Sequence, residues 1–329
     1  MANLIVTAVC NMGCPYCFAT AHMQKVRQNQ DKAFISLAVF ARQLDFLQRS
    51  RVDQVRLIGG EPTLHPHFPE LVACARQRGM ALLIFSHGLM PERALACLEA
   101  LPEDACLVLI NMNATKAADG PTPAEMARRR RTIKRLGPRA LPGFNIYTPH
   151  VDLDFLLPLI AENGCRRAVR LGLAQPIWNR PNRYLHPNHY SHVGATIAQF
   201  ARRAAIVGVH VEFDCGFVRC MFTDEDLVAL QQAQADIGWR CNPILDISMD
   251  EQAIHCFPLT GRVQTPLSTA PDAATLRAHL AAQTAPYRVA GIYRECSTCM
   301  FKQRGECTGG CLSQTMRRFR HDPFRLTVA

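Results

Sequence analysis

The sequence contains no apolar run approaching the roughly 20 residues that a membrane-spanning helix needs. It also has no basic-then-apolar segment at its start, where Met1 to Val9 leads straight into a cysteine-rich loop. Both absences disfavour a membrane or secreted protein, and a cytoplasmic location is expected. Negative charge is in deficit: 27 acidic residues face 37 lysines and arginines, for a formal net charge of +10. Such a field steers acidic partners, an acidic peptide or a phosphorylated substrate among them. The arginine-rich stretches, Arg128 to Arg131 and then Arg317, Arg318 and Arg320, lack interleaved aromatics. Nucleic acid is therefore not the expected partner, and the first stretch reads as a solvated helix face. A compositional bias toward disorder is absent too, because 48% hydrophobic residues suffice for a core.

What is abundant is cysteine. In a reducing compartment the 15 cysteines read as metal ligands and core thiols rather than disulfides. Three of them, Cys10, Cys14 and Cys17, fall within Cys10-Asn11-Met12-Gly13-Cys14-Pro15-Tyr16-Cys17. Gaps of three and then two residues let three thiolates wrap one side of a small cluster without closing it. Thiolates are soft ligands that select iron–sulfur clusters, zinc or copper(I), and a four-iron cluster ordinarily takes four of them. Three leave one iron open, as a catalytic zinc site keeps a position open. A structural zinc loop is the competing reading, but zinc fingers usually present two CxxC-like pairs, and this loop lacks the second.

The CxxxCxxC spacing, with aromatic Tyr16 before the last cysteine and Phe18 after it, resembles the signature of the radical S-adenosylmethionine (radical SAM) enzymes. The resemblance implies that Cys10, Cys14 and Cys17 hold a [4Fe-4S] cluster whose open iron is chelated by S-adenosyl-L-methionine. One electron from the cluster then cleaves the sulfonium to a 5′-deoxyadenosyl radical. The cofactors carry the hard chemistry, and the protein supplies position and exclusion of water.

The chain has 329 residues, more than one ordinary domain of roughly 100–200, and one barrel with a smaller appendage fits best. Leu4 to Val9 reads as a buried strand. Phe34, Leu37, Phe40, Leu44 and Leu47, spaced by three or four, mark one face of a helix over residues 32–49. Strands at Val55 to Ile58, Ala81 to Phe85, Leu107 to Met112, Phe144 to Tyr147 and Ala168 to Leu173 follow. Helices at Phe68 to Arg78, Glu92 to Glu99, Glu125 to Leu136, Leu153 to Glu162 and Tyr190 to Val207 alternate with them. Six such units predict an α/β fold, an open partial (β/α)6 TIM-type barrel with its site at the C-terminal edge of the strands. The radical enzymes resembled here have that architecture. Residues 1–212 are read as the barrel and 213–329 as a small cysteine-rich domain.

After the second strand come Gly59-Gly60-Glu61-Pro62. Two glycines permit close approach of the backbone to a ligand, the carboxylate suits an ammonium group, and proline fixes the exit. The resemblance implies that this turn holds the amino group of S-adenosylmethionine. Other strand ends bring polar groups to the same rim: Ser86 and His87, Asn111 and Asn113, Asn145, and Arg170. In the family such positions contact the ribose, carboxylate and adenine. His65, His67 and the histidine-rich stretch Tyr184 to His192 read as a loop packed over the barrel mouth, with direct substrate contact as the alternative. No convincing second catalytic acid or base stands out.

Eight cysteines fall late in the chain: Cys215, Cys220, Cys241, Cys256, Cys296, Cys299, Cys307 and Cys311. Four others, Cys74, Cys97, Cys106 and Cys165, read as packed thiols. Eight is the number that closes two four-cysteine sites, and Gly309 and Gly310 let the chain fold around a metal. The arrangement resembles the SPASM or twitch extension that carries one or two auxiliary iron–sulfur clusters. It departs from that pattern in three ways: Glu251 stands where a glycine is usual, the gap from Cys299 to Cys307 is long, and no cysteine follows Cys311. The last ligand of one cluster must then come from elsewhere, from Cys215, from Cys220 or from a non-cysteine group; the expected pairing is Cys220, Cys241, Cys256 and Cys311 around an inner cluster, with Cys296, Cys299, Cys307 and Cys215 around an outer one, and if only one cluster forms, Cys215 or Cys220 is a free thiol.

Among radical enzymes with this extension, the resemblance most often implies modification of a peptide or protein by crosslinking, epimerisation or side-chain oxidation. The first strand starts too early for the N-terminal extension with which many such relatives grip a leader. A small-molecule cyclisation or rearrangement in cofactor or natural-product synthesis is the alternative, and a metal-binding regulatory or electron-transfer protein is the alternative of another class. A low-potential donor such as flavodoxin or ferredoxin is the expected electron partner.

Overall fold

The computed structural model describes residues 1–20, 23–24, 33–113, 122–178, 180–235 and 237–319. Its strands are β1 (Ala2–Thr7), β2 (Gln54–Gly59), β3 (Ala81–Ser86), β4 (Cys106–Asn111), β5 (Ala140–Ile146), β6 (Ala168–Leu173), β7 (His210–Phe213), β8 (Leu245–Ile247), β9 (Gln252–Ile254) and β10 (Gln264–Pro266). They form one sheet in the order β10-β9-β8-β1-β2-β3-β4-β5-β6-β7. Neighbours from β1 to β7 pair in parallel, and β8 pairs in parallel with the other edge of β1. The turn back through β9 and β10 is antiparallel.

Parallel strands need long crossovers, and helices supply them. Leu37–Arg49 begins at Ser36, whose side chain accepts from the Val39 amide at 3.2 Å, and buries Phe40, Leu44 and Leu47 against the sheet. Residue 32, the expected start of this helix, lies outside the described residues, and Phe34 instead bridges to Thr7. Pro123–Leu136 starts with a reciprocal cap between Thr122 and Glu125. Glu92–Glu99 has the bounds the sequence suggests. Leu156–Glu162 starts three residues later than expected.

Four of the strands were not expected. The strand β7 follows the sixth helix and crosses position 212, and β8 to β10 are three residues each, too short for periodicity to reveal. Leu245, Ile247, Leu280, Leu312 and Met316 share one continuous core with the parallel strands. The reading of Arg128 to Arg131 as a solvated face is corrected at one position: Arg129 is 1% exposed. Helical phase places it with Thr132, Ile133 and Leu136 on the buried face, while its three arginine neighbours face water. Arg317 and Arg318 lie in the helix Leu312–Arg318, and Arg320 lies outside the described residues. Among the described residues no helix is long and apolar enough to cross a membrane.

Candidate active site

The loop after β1 carries Cys10, Cys14 and Cys17, all half-buried. The neighbouring strand end holds it in place. The Gly60 amide donates to the Thr7 carbonyl at 2.8 Å, and the Glu61 amide to that of Val9 at 2.8 Å. Here the two glycines have a definite use. A Cβ on Gly59 would lie 2.2 Å from the Thr7 oxygen, and one on Gly60 would lie 2.1 Å from the Val9 oxygen. The close approach the sequence suggested is made to the chain's own backbone beneath the cysteine loop.

Glu61 is 1% exposed. Its carboxylate accepts from the Thr63 hydroxyl at 2.6 Å, the Thr63 amide at 3.3 Å and the His87 amide at 2.9 Å, and caps the short 3₁₀ turn that starts at buried Pro62. The His87 ring links this carboxylate to the cysteine loop, with Nε2 3.2 Å from Glu61 Oε2 and 2.8 Å from Asn11 Oδ1. Because Nδ1 accepts from the Leu89 amide at 3.0 Å, the proton of a neutral ring sits on Nε2. Burial lowers the His87 pKa, while Glu61 opposes the shift.

Together these groups line an open cleft of about 170 Å³ at the C-terminal ends of the parallel strands. Cys10, Cys14, Cys17, Tyr16 and Phe18 form one wall, and Gly59, Gly60 and Glu61 the floor beside it. Ser86, Asn111, Asn145 and Arg170 complete the rim. Asn113 is not part of that lining. Its side chain is spent on Asn145, donating to the carbonyl at 2.8 Å and accepting from the amide at 2.7 Å, which braces β4 against β5. Pro62 also lies behind the lining. Asp214 was missed in the sequence because it directly follows the unread β7; it lines the cleft and pairs with Arg170 at 2.8 Å. Arg170 also lies 5.5 Å from the Phe85 ring centre. His65 is buried, 2.9 Å from the Ile35 carbonyl, and stands outside the cleft. Just before the histidine-rich stretch, the Arg183 amide donates to the Pro15 carbonyl of the cysteine loop at 2.9 Å.

Burial pushes the Cys10 thiol up to about 12 and raises those of Cys14 and Cys17. A bound cation would reverse this by favouring the thiolates. Among the described residues no three Cys, His, Asp or Glu side chains converge where a single ion would sit. Three soft donors with room beside them suit a cluster.

Phe18 packs on Phe257 with ring centres 4.6 Å apart, joining this loop to the late cysteines. Crowding around the Cys215 sulfur raises its pKa, and Asp214, Cys241 and Cys311 push the same way. Cys256 is raised by burial and then by Cys241, Cys311 and Asp246. Cys220 is pushed up to about 11 by burial and then by Cys296, Cys307 and Cys299. Cys106 and Cys165 are buried, and Cys74 and Cys97 pack against the core.

The Radical SAM superfamily model matches residues 4–137. An S-adenosylmethionine-dependent nucleotide dehydratase of Selenomonas ruminantium is 34% identical over 107 residues, 30% of this chain and 36% of that protein. A GTP 3′,8-cyclase of Chlorobaculum tepidum is 30% identical over 98 residues, 29% of this chain and 28% of that protein. The chain thus spans about a third of the length of these curated relatives. The crystal structure of Streptococcus suis SuiB bound to precursor peptide SuiA has the same fold at a TM-score of 0.67 and 11% identity, over 96% of this chain and 72% of that one. Native anSMEcpe with bound AdoMet matches at a TM-score of 0.62 and 15% identity, over 94% of this chain and 89% of that one. The matched stretch 4–137 contains the cysteine loop, the Gly59–Glu61 turn and the ends of β3 and β4, and over that stretch the chain is similar to the radical SAM superfamily.

Proposed function

We propose that the chain is an S-adenosylmethionine-dependent radical enzyme acting on a peptide or protein. The observation that carries this reading is that three thiols, the Gly59–Glu61 turn and the polar ends of β3 to β6 line one cleft. Cys10, Cys14 and Cys17 would hold a [4Fe-4S] cluster and leave one iron for S-adenosylmethionine. When bound, this pair supplies the electron and the sulfonium whose cleavage gives methionine and a 5′-deoxyadenosyl radical. The chain's own residues hold the geometry. Glu61 and His87 lock the strand ends to the loop, and Arg170 with Asp214 offers a polar anchor for a carboxylate on the far wall. A low-potential reductant, flavodoxin or ferredoxin in kind, would supply the electron, and the net charge of +10 favours an acidic one.

Residues 213–329 are assigned to a SPASM- or twitch-like section with one or two further [4Fe-4S] clusters. Support for a peptide substrate comes from fold likeness over 94–96% of this chain to SuiB bound to a precursor peptide and to anSMEcpe bound to AdoMet and the Cp18Cys peptide, the latter at a TM-score of 0.62 and 14% identity. A nucleotide substrate is the second reading, favoured by the nucleotide dehydratase and GTP cyclase likenesses and by the basic charge.

Anaerobically reconstituted protein, reduced with dithionite, is expected to convert S-adenosylmethionine to 5′-deoxyadenosine. Zinc alone on the N-terminal loop, or an uncleaved sulfonium, overturns the proposal. Faster 5′-deoxyadenosine release with short peptides than with nucleoside triphosphates supports the peptide, and the reverse order supports the nucleotide.

A further inference from the structure

We infer that the exposed basic face of the helix Pro123–Leu136 is the docking surface for an acidic one-electron carrier protein that reduces the N-terminal cluster. This rests on the radical reading above and adds the place where its electron enters.

Arg128, Arg130, Arg131 and Lys134 all stand exposed on this helix. Among the described residues no ion pair joins any of the four to a carboxylate. The nearby acids are engaged elsewhere: Glu92 and Glu99 pair with Arg135, and Glu125 closes the helix cap with Thr122. Like charges three and four residues apart on a helix repel one another. Arg128 with Arg131, and Arg130 with Lys134, therefore weaken the helix and leave an open positive field on its surface. Beside them a hollow of about 250 Å³ lies against Glu92–Glu99, with buried Met90 and Leu95 at its floor and Arg128 and Arg131 on its edge. An apolar seat ringed by cations suits the small, weak interface of a redox encounter.

The inner side of the same helix is wired to the cysteine loop. Buried Arg129 donates from Nη1 to the Asn113 carbonyl at 2.7 Å, and the Asn113 amide donates to Asn111 Oδ1 at 3.2 Å. The Asn111 side-chain amide then donates to the hydroxyl of Tyr16, which stands between Cys14 and Cys17. Three hydrogen bonds thus connect the basic helix to the loop. A second link runs through the turn after β3, where the Thr132 hydroxyl donates to the Gly88 carbonyl at 2.9 Å and neighbouring His87 meets Asn11.

None of the four cations lines the cleft. A partner held by them acts from outside it, and an electron carrier does so without placing an atom inside. The carrier gives up one electron, which reduces the N-terminal cluster, and no bond forms or breaks at this face.

Flavodoxin serves as the probe. In anaerobically reconstituted protein, formation of 5′-deoxyadenosine is measured with reduced flavodoxin and with dithionite, and the ratio of the rates is compared between variants. Arg128→Glu/Arg131→Glu should lower that ratio about tenfold at low salt, with the gap narrowing as sodium chloride is added. Arg130→Glu/Lys134→Glu should act in the same direction. Arg49→Glu/Arg277→Glu makes an equal change in net charge at exposed positions near the contact of Ser50 with the Ala273 amide, beyond the opposite ends of the strands. Its ratio should stay within about twofold of wild type. A ratio for Arg128→Glu/Arg131→Glu equal to that of this control overturns the docking surface. Wild-type protein inert to dithionite overturns the radical reading instead, and binding then decides the surface without any chemistry. Flavodoxin titrated onto unmutated protein at low salt should bind about tenfold more tightly than onto Arg128→Glu/Arg131→Glu, and equal affinity overturns the proposal. A short DNA duplex that displaces flavodoxin assigns the face to nucleic acid and overturns it too.

Discussion

The Asn111 side-chain amide donates to the Tyr16 hydroxyl at 2.6 Å, which leaves the hydroxyl's own proton free to face the Cys14 sulfur. Burial and then Cys17 push the Cys14 thiol up, and the Tyr16 hydroxyl works against them. Hydrogen bonds to cluster sulfurs set reduction potential, favouring the more negative, reduced state. Tyr16→Phe should therefore lower the midpoint of the N-terminal cluster by on the order of 40 mV, the equivalent of one hydrogen bond of about 1 kcal/mol. Potentiometric titration followed by electron paramagnetic resonance checks this, and an unchanged midpoint rules it out.

Gly60→Ala tests whether the glycine turn is a brace for the cysteine loop. The added methyl would meet the Val9 oxygen at 2.1 Å, so the strand ends must part and two backbone hydrogen bonds break. A loss of about 3 kcal/mol in urea unfolding is expected, from overpacking and the unmade bonds together. Reconstituted variant should also carry about four fewer irons than wild type.

Asp246 on β8 is 2% exposed and accepts from Asn3 of β1 at 2.5 Å. Burial raises its carboxyl to about 8, with Asn3 opposing the shift. Since the ordinary value is 3.8, the folded chain keeps a proton that the unfolded chain has lost throughout that interval, and stability falls as pH climbs from about 4 to about 8. Asp246→Asn should be neutral near pH 4 and gain progressively up to about pH 8, reaching at most on the order of 5 kcal/mol. Urea midpoints of both proteins at pH 4.5, 6 and 8 measure it, and a pH-independent difference would contradict the assignment.

Glu251 adopts a φ of 58° in the turn between β8 and β9, at the position where a glycine was the expected residue. Its carboxylate pairs with exposed Arg42 at 2.8 Å, a contact worth less than about 1 kcal/mol. Both Glu251→Gly and Glu251→Ala lose that pair, but only glycine takes the left-handed conformation freely. Glu251→Gly should exceed Glu251→Ala in stability by about 1 kcal/mol, read from thermal or urea unfolding.

Periodicity and spacing made the first six strands and their helices legible, because each is long enough to show its repeat. The cleft was legible for a similar reason: strand ends in a parallel sheet share one edge, so Ser86, Asn111, Asn145 and Arg170 could be placed there from strand positions alone. Asp214 was lost with β7, whose four residues His210–Phe213 include partly exposed His210 and Glu212 and give no apolar run. Burial of Arg129 was hidden by its three arginine neighbours, since composition outweighs helical phase when a stretch is uniformly charged.

One pairing within the sheet reaches from near one end of the chain toward the other: Ala2 to Leu4 of β1 hydrogen bonds with Leu245 to Ile247 of β8. During synthesis, the backbone donors and acceptors on that flank of the first strand must wait for some 240 residues to follow before they are matched. A fragment that stops before β8 would keep an unpaired strand beside its cysteine loop, exposed to adventitious pairing with another chain. Residues 1–212 should on this account be recovered mainly as aggregate when expressed alone, and residues 213–329 supplied on a second polypeptide should rescue them.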